Sequence, residues 1–274
     1  MSLVQAIVLG VVQGLTEFLP ISSSGHLRIV PAFAGWEDPG AAFTAVIQLG
    51  TMAAVLLYFR ADLVRIAAAW LQSLRDPARR GTLDARLGWY LILATIPISL
   101  VGVALKDQIE NGARDLYLIG SMLILFGLVL LAAEAVSRRE RDVTTITRRD
   151  ALVIGLAQAL ALVPGVSRSG ATISAGLLLG FDRVSAARFS FLLSVPAVVL
   201  SGLYELKDVV NGSAEGAVGA GPTAVATVLA FVTGYLSIAF FLRFLTTHST
   251  AVFVGYRVLL GAAVLALAGS GAIA

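Results

Sequence analysis

A carboxylate, three hydroxyls and an imidazole crowd into Leu15-Thr-Glu-Phe-Leu-Pro-Ile-Ser-Ser-Ser-Gly-His26, inside sequence otherwise apolar enough for lipid. Ionisable groups at that depth are costly and are usually kept for function. A second interruption, Val163-Pro-Gly-Val-Ser-Arg-Ser-Gly170, adds a guanidinium and two more hydroxyls. If 2–19 is helical, Gln13 and Glu17 share a face and can hold a cation or a proton between them, or make a polar contact with a neighbouring helix. One of Ser22, Ser23 and Ser24 is expected to cap the returning half-helix. His26, three residues after Ser23, is spaced to exchange a proton with that hydroxyl. The helix N-terminus behind the serines favours a phosphate through its amides and dipole. Arg168, flanked by Ser167, Ser169 and Gly170, offers a rigid fork of donors that suits phosphate oxygens. It is equally placed to pair with Glu17, and the two roles are compatible. Arg28 is placed to hold an anionic headgroup. Arg257 is either an ion-pair partner inside the bundle or a third phosphate contact. Glu134 reads as structural, with room to snorkel, and His248 as solvated.

These groups need elements to position them. Hydrophobic residues make up 58% of the 274 and charged residues 14%, with a mean hydropathy of +0.88. That is too little polar surface for a soluble domain, so the chain reads as an integral membrane protein. The start Met-Ser-Leu-Val-Gln has no basic n-region and no cleavage site, so the first apolar segment is expected to belong to the mature fold. The absence of cysteine excludes disulfides and thiolate chemistry, and two histidines are too few for a multi-histidine metal site. The net charge of +3 is read as orientation rather than as a nucleic-acid partner, which nothing here calls for.

Six segments are long enough to span: 41–59, 87–105, 116–137, 186–205, 222–243 and 251–270. Two further apolar stretches, 2–34 and 151–180, are broken at Pro20 and at Pro164-Gly165. They are expected to be re-entrant helix hairpins whose loops line a polar cavity. The hairpins resemble one another, Gly10 matching Gly155, Gln13 matching Gln158 and Ser22 matching Ser167 at a constant offset. The expected architecture is therefore an all-α polytopic membrane protein with an inverted repeat, 1–137 and 148–274. Each half is a hairpin followed by three spanning helices. Arginines concentrate in 60–86 and 138–149 and recur at Arg183, Arg188 and Arg243, against Lys106, Arg114 and Lys207 on the other side. This asymmetry puts the arginine-rich loops in the cytoplasm and opens the first hairpin outward. Within 60–86 an interfacial helix is expected from Asp62 to about Leu74, with Trp70 at headgroup level.

The two motifs, Gln13-Gly-Leu-Thr-Glu17 through His26 and Pro164-Gly-Val-Ser-Arg-Ser-Gly170, resemble the signatures of the bacterial undecaprenyl-diphosphate phosphatase family of the bacitracin-resistance type. The likeness extends over the whole chain, including Ile47-Gln-Leu-Gly50 and Tyr256-Arg257. It implies hydrolysis of a polyprenyl diphosphate to its monophosphate at the outer face of the cytoplasmic (inner) membrane, recycling the lipid carrier of cell-wall peptidoglycan synthesis. It also implies a divalent cation, Mg or Ca, held by Glu17 and Gln13. Many members have glutamate where this chain has Gln13, which leaves one carboxylate for the metal. The expected catalytic group is Glu17, Ser23, His26 and Arg168. The expected substrate contacts are Gln13, Ser22, Ser24, Arg28, Ser167, Ser169, Gly170 and Arg257. Serine, histidine and water all remain open as nucleophile. The other class of membrane lipid phosphatase carries a Ser-Arg-x5-His element, and here the count from Ser167-Arg168 reaches Ser174. Expected partners are the lipid substrate, bilayer lipids and a second copy in a homodimer. The competing reading is transport, a lipid-phosphate flippase or anion carrier built from the same inverted repeats.

Overall fold

The computed structural model describes residues 1–105, 115–210 and 219–273; Lys106 and Arg114 of the topology count lie outside them. Among the described residues there are eleven α-helices and no strand beyond one isolated bridge, Arg141 to Phe181. The helices are α1 (Leu3–Phe18), α2 (Ser23–Ala34), α3 (Gly40–Tyr58), α4 (Arg60–Arg75), α5 (Leu83–Ala104), α6 (Leu116–Val136), α7 (Arg148–Ala159), α8 (Arg168–Leu178), α9 (Arg183–Val210), α10 (Ala220–Phe244) and α11 (Ala251–Gly269).

Of the six expected spans, α5, α6, α10 and α11 are each long and apolar enough to cross a bilayer, so the protein is a multi-pass membrane protein. The segment 41–59 is long and apolar enough only together with α4, from which it is bent by 77°. The segment 186–205 lies in α9, which is long but carries Arg183, Arg188, Glu205, Lys207 and Asp208 and is less apolar in consequence. Its middle is core: Phe189, Phe191, Leu192 and Leu193 are buried. Leu259, Val64, Val103 and Leu100, by contrast, are about two-thirds exposed or more, the pattern of helices whose outer faces meet lipid rather than water.

α1 and α7 begin alike. Ser2 and Gln5 form a reciprocal capping box on α1, and Thr147 and Asp150 form one on α7. Each helix then presses on another at backbone contact. A Cβ at Gly10 would lie 2.4 Å from the Ala226 carbonyl of α10, and one at Gly155 would lie 2.5 Å from the Ala94 carbonyl of α5. Phe191 of α9 stacks edge-on against Phe18 at 5.3 Å and also meets Phe59 and Phe241. This aromatic cluster joins the end of α1 to α3, α9 and α10. It fixes the position of the residue beside Phe18, which is Glu17.

Candidate active site

α1 stops at Phe18 because Pro20 forces Leu19 into extended backbone, φ −70° and ψ 144°. The chain then turns through Ser22 at φ 74°, and the second hairpin turns through Ser167 at the same φ of 74°. A positive φ on a non-glycine residue stores roughly 1–3 kcal/mol and is held only where the surroundings dictate it. Here the hydroxyls of Ser22 and Ser167 accept from the amides of Gly25 (3.4 Å) and Gly170 (3.1 Å), capping α2 and α8. The strained turns aim the next residues, Ser23 and Arg168, at the same acid.

Glu17 receives both. Ser23 Oγ donates to Glu17 Oε2 at 2.6 Å, Gln13 Nε2 donates to the same oxygen at 3.1 Å, and Arg168 pairs with Oε1. The Glu17 side chain is 7% exposed and that of Arg168 18%. Both starting helices, α2 and α8, bring their N-terminal dipoles to this point. A cavity of about 10 Å³ opens on the pair, with Thr51, Met52 and Val55 of α3 on one side and Ser194 and Val198 of α9 on the other. It has room for roughly one water.

His26 is not the partner of Ser23. Its Nδ1 lies 2.7 Å from the Ser22 carbonyl and its Nε2 2.6 Å from the Tyr256 hydroxyl, with the two rings stacked at 5.5 Å. A carbonyl can only accept, so Nδ1 carries the hydrogen and Nε2 accepts from Tyr256. Both nitrogens are taken. The i, i+3 spacing that linked Ser23 to His26 in sequence places them on a helix start, where the strained turn sends Ser23 toward Glu17 instead. Sequence reasoning gave Tyr256 no role; its position next to Arg257 was the one signal.

Arg257 makes no ion pair among the described residues. It is wholly buried and donates to the carbonyls of Pro20, Gly165 and Val166 in the two hairpin loops and of Met122 and Leu123 in α6. One guanidinium thus ties both loops to α6 by hydrogen bonds that offset its burial. Gly170 makes room for it: a Cβ there would come 2.9 Å from an Arg257 nitrogen. Gly170, Ser22 and Ser167 thus shape the loops, and Ser169, donating to the Leu19 carbonyl at 3.0 Å, joins one loop to the other. Ser24 is exposed, and Arg28 pairs with Asp38 at 3.5 Å. Glu134 does not snorkel. It takes hydrogen bonds from Arg183, Arg139 and Thr250, holding α6, α9 and the start of α11 together.

Among the described residues no three histidine, aspartate or glutamate side chains gather to hold a metal. The donor set that exists is Glu17 with Gln13, whose buried Oε1 has no partner. Gln13 turns its amide nitrogen toward Glu17, so a cation shared by the two would need that amide turned over and would draw its other ligands from substrate phosphate and water.

Fold and site together define a polytopic helical membrane protein whose buried acid, hydroxyl and guanidinium converge from two hairpin loops, a set suited to chemistry on an anionic group. The chain belongs to the family described as bacitracin resistance protein BacA, whose profile matches residues 6–263. It is 58% identical to an undecaprenyl-diphosphatase of a Nocardioides strain over 98% of both chains. It is 55% identical to one of Mycolicibacterium smegmatis, covering 100% of this chain and 99% of that one. To undecaprenyl-diphosphatase 2 of Streptomyces avermitilis it is 52% identical, with 100% and 97% covered.

Proposed function

We propose that the protein hydrolyses undecaprenyl diphosphate to the monophosphate and inorganic phosphate, with Ser23 as nucleophile and Glu17 as its base. The observation that carries this is the 2.6 Å hydrogen bond from Ser23 Oγ to Glu17 Oε2, within the range a general base needs. Arg168 exchanges Glu17 for the terminal phosphate and grips it through its fork. Ser23 Oγ attacks the terminal phosphorus as the bridging P–O bond breaks. Its proton passes to Glu17 and on to the departing lipid monophosphate. Glu17 then takes a proton from water as water attacks the phosphoserine, and returns it to Ser23 as inorganic phosphate leaves. Arg168 and the first amides of α2 and α8 offset the charge on the transferring group, which supplies most of the catalysis in phosphoryl transfer. A divalent cation held by Glu17 and Gln13 would neutralise further phosphate charge. His26 orients the loop through the Ser22 carbonyl.

In this reading residues 1–137 and 148–274 are inverted repeats, the hairpins 2–34 and 151–180 are re-entrant, and the site opens to the outer face of the cytoplasmic membrane. The matching capping boxes, strained serines and glycine contacts of the two hairpins support the repeat, and the arginine asymmetry supports the orientation. A membrane-impermeant thiol reagent on intact cells should label a single cysteine at Asp38 and not one at Arg139; the reverse result would overturn the orientation. A homodimer is compatible with this architecture, and crosslinking in native membranes reads it out.

The central test is acid-quenched turnover of farnesyl diphosphate labelled in its terminal phosphate. Wild type should carry label on Ser23, and Ser23→Ala should lose about 10³-fold in turnover. If Ser23→Ala stays within a few-fold of wild type, water is the nucleophile. A wild type that releases no phosphate at all favours the flippase or carrier reading instead.

A further inference from the structure

A substrate whose tail stays in the bilayer needs a seam between helices through which its diphosphate can reach Glu17 and Arg168. Four seams of the bundle are closed by backbone contact. A Cβ at Gly10 would meet the Ala226 carbonyl at 2.4 Å across α1 and α10, and one at Gly50 the Thr227 carbonyl at 2.2 Å across α3 and α10. At Gly155 it would meet Ala94 across α7 and α5, and at Gly261 it would meet the Gly120 carbonyl at 2.7 Å across α11 and α6. Helices packed this closely leave no gap for an isoprenoid chain.

The seam between α3 and α9 is built differently. The cavity at Glu17 and Arg168 lies in it, walled by the side chains of Met52, Val55 and Val198. Met52 has a flexible thioether chain that can move aside. Pro196, half a turn from both Ser194 and Val198, removes a backbone donor from the middle of α9 at the level of the cavity. Met52 lies twelve residues beyond Gly40, about 18 Å along α3.

We infer that the α3–α9 seam is the lateral portal of the enzyme and the binding place of the first isoprene units, gated by Met52 and Val198 and hinged at Pro196. The inference rests on the diphosphatase reading and deepens it. In the closed form the cavity holds no more than a water, so the gate must open for each substrate.

The chain has no cysteine, which allows a direct test with the double variant Met52→Cys/Val198→Cys. The two thiols are bridged by a short bis-methanethiosulfonate reagent that dithiothreitol cleaves, and phosphate release from farnesyl diphosphate is followed in detergent. The bridged protein should turn over at least about 50-fold more slowly than the same sample after reduction, and equal rates before and after reduction would overturn the portal. Met52→Trp, measured separately, should raise KM for farnesyl diphosphate about tenfold with kcat within about threefold, and shift KM for the short isopentenyl diphosphate far less. A tryptophan variant that lowers kcat at unchanged KM, or shifts KM equally for both tails, would remove Met52 from the gate. Wild type inactive on farnesyl diphosphate sinks the diphosphatase reading itself, whereas active wild type with an indifferent bridge sinks only the portal.

Discussion

The two hairpins share a scaffold and differ in their chemistry. Both begin at a capping box, both press a glycine against an alanine carbonyl of another helix, and both turn through a serine held at φ 74°. Where the first carries Glu17, Ser23 and His26, the second carries Leu162, Arg168 and Ala171 at the matching positions. One acid is thus met by the residues after the two strained serines, a hydroxyl from its own loop and a guanidinium from the other. Two acids at that distance would repel, and two arginines would leave the hydroxyl without a base. That difference is what brings an acid, a hydroxyl and a guanidinium together at one point.

The largest expected effect comes from erasing the asymmetry at the acid. Glu17→Gln keeps the shape and removes the charge, so kcat for phosphate release should fall by about 10³-fold while the protein still inserts. Arg168→Lys keeps charge and loses the fork, and should cost about 10–10²-fold, with Arg168→Ala worse. The double variant Glu17→Gln/Arg168→Gln should recover thermal stability relative to either single change, because it strands no charge, yet remain inactive. Phosphate release in that double variant would take both residues out of the chemistry.

The shared scaffold predicts equal effects. Gly10→Ala and Gly155→Ala each drive a methyl into a carbonyl, and each should lower stability by about 1–3 kcal/mol, read as melting temperature in detergent. A much smaller loss at Gly155 would show that the second hairpin is held less tightly than the first. The smallest effect belongs to Tyr256→Phe, which removes one hydrogen bond to His26, about 1 kcal/mol. Turnover should stay within about tenfold, with an unchanged pH profile. A collapse in activity, or a shifted acid limb of that profile, would restore His26 to proton transfer.

The broad fold was legible because lipid imposes it. Runs of apolar residues and the breaks at Pro20 and Pro164 follow from what a bilayer tolerates. Gln13 and Glu17 meet as their helical spacing requires, at 3.1 Å. What failed was proximity argued along the chain. Ser23 and His26 are neighbours in sequence, but the backbone at Ser22 sends one to Glu17 and the other to Tyr256 of a helix 230 residues away.

By itself, then, the amino-acid sequence determined that this is a polytopic helical protein of the BacA family, and which side chains are too costly in lipid to be idle. Local pattern and hydropathy carry that information because each depends on neighbours within a few turns of helix. Tertiary structure alone decided that Glu17 is the meeting point of the hairpins, that Arg257 binds the backbone carbonyls of both loops, and that the cavity lies between α3 and α9. Those facts depend on which helices pack at backbone distance. That is set by contacts between segments far apart in the chain, which no local periodicity records.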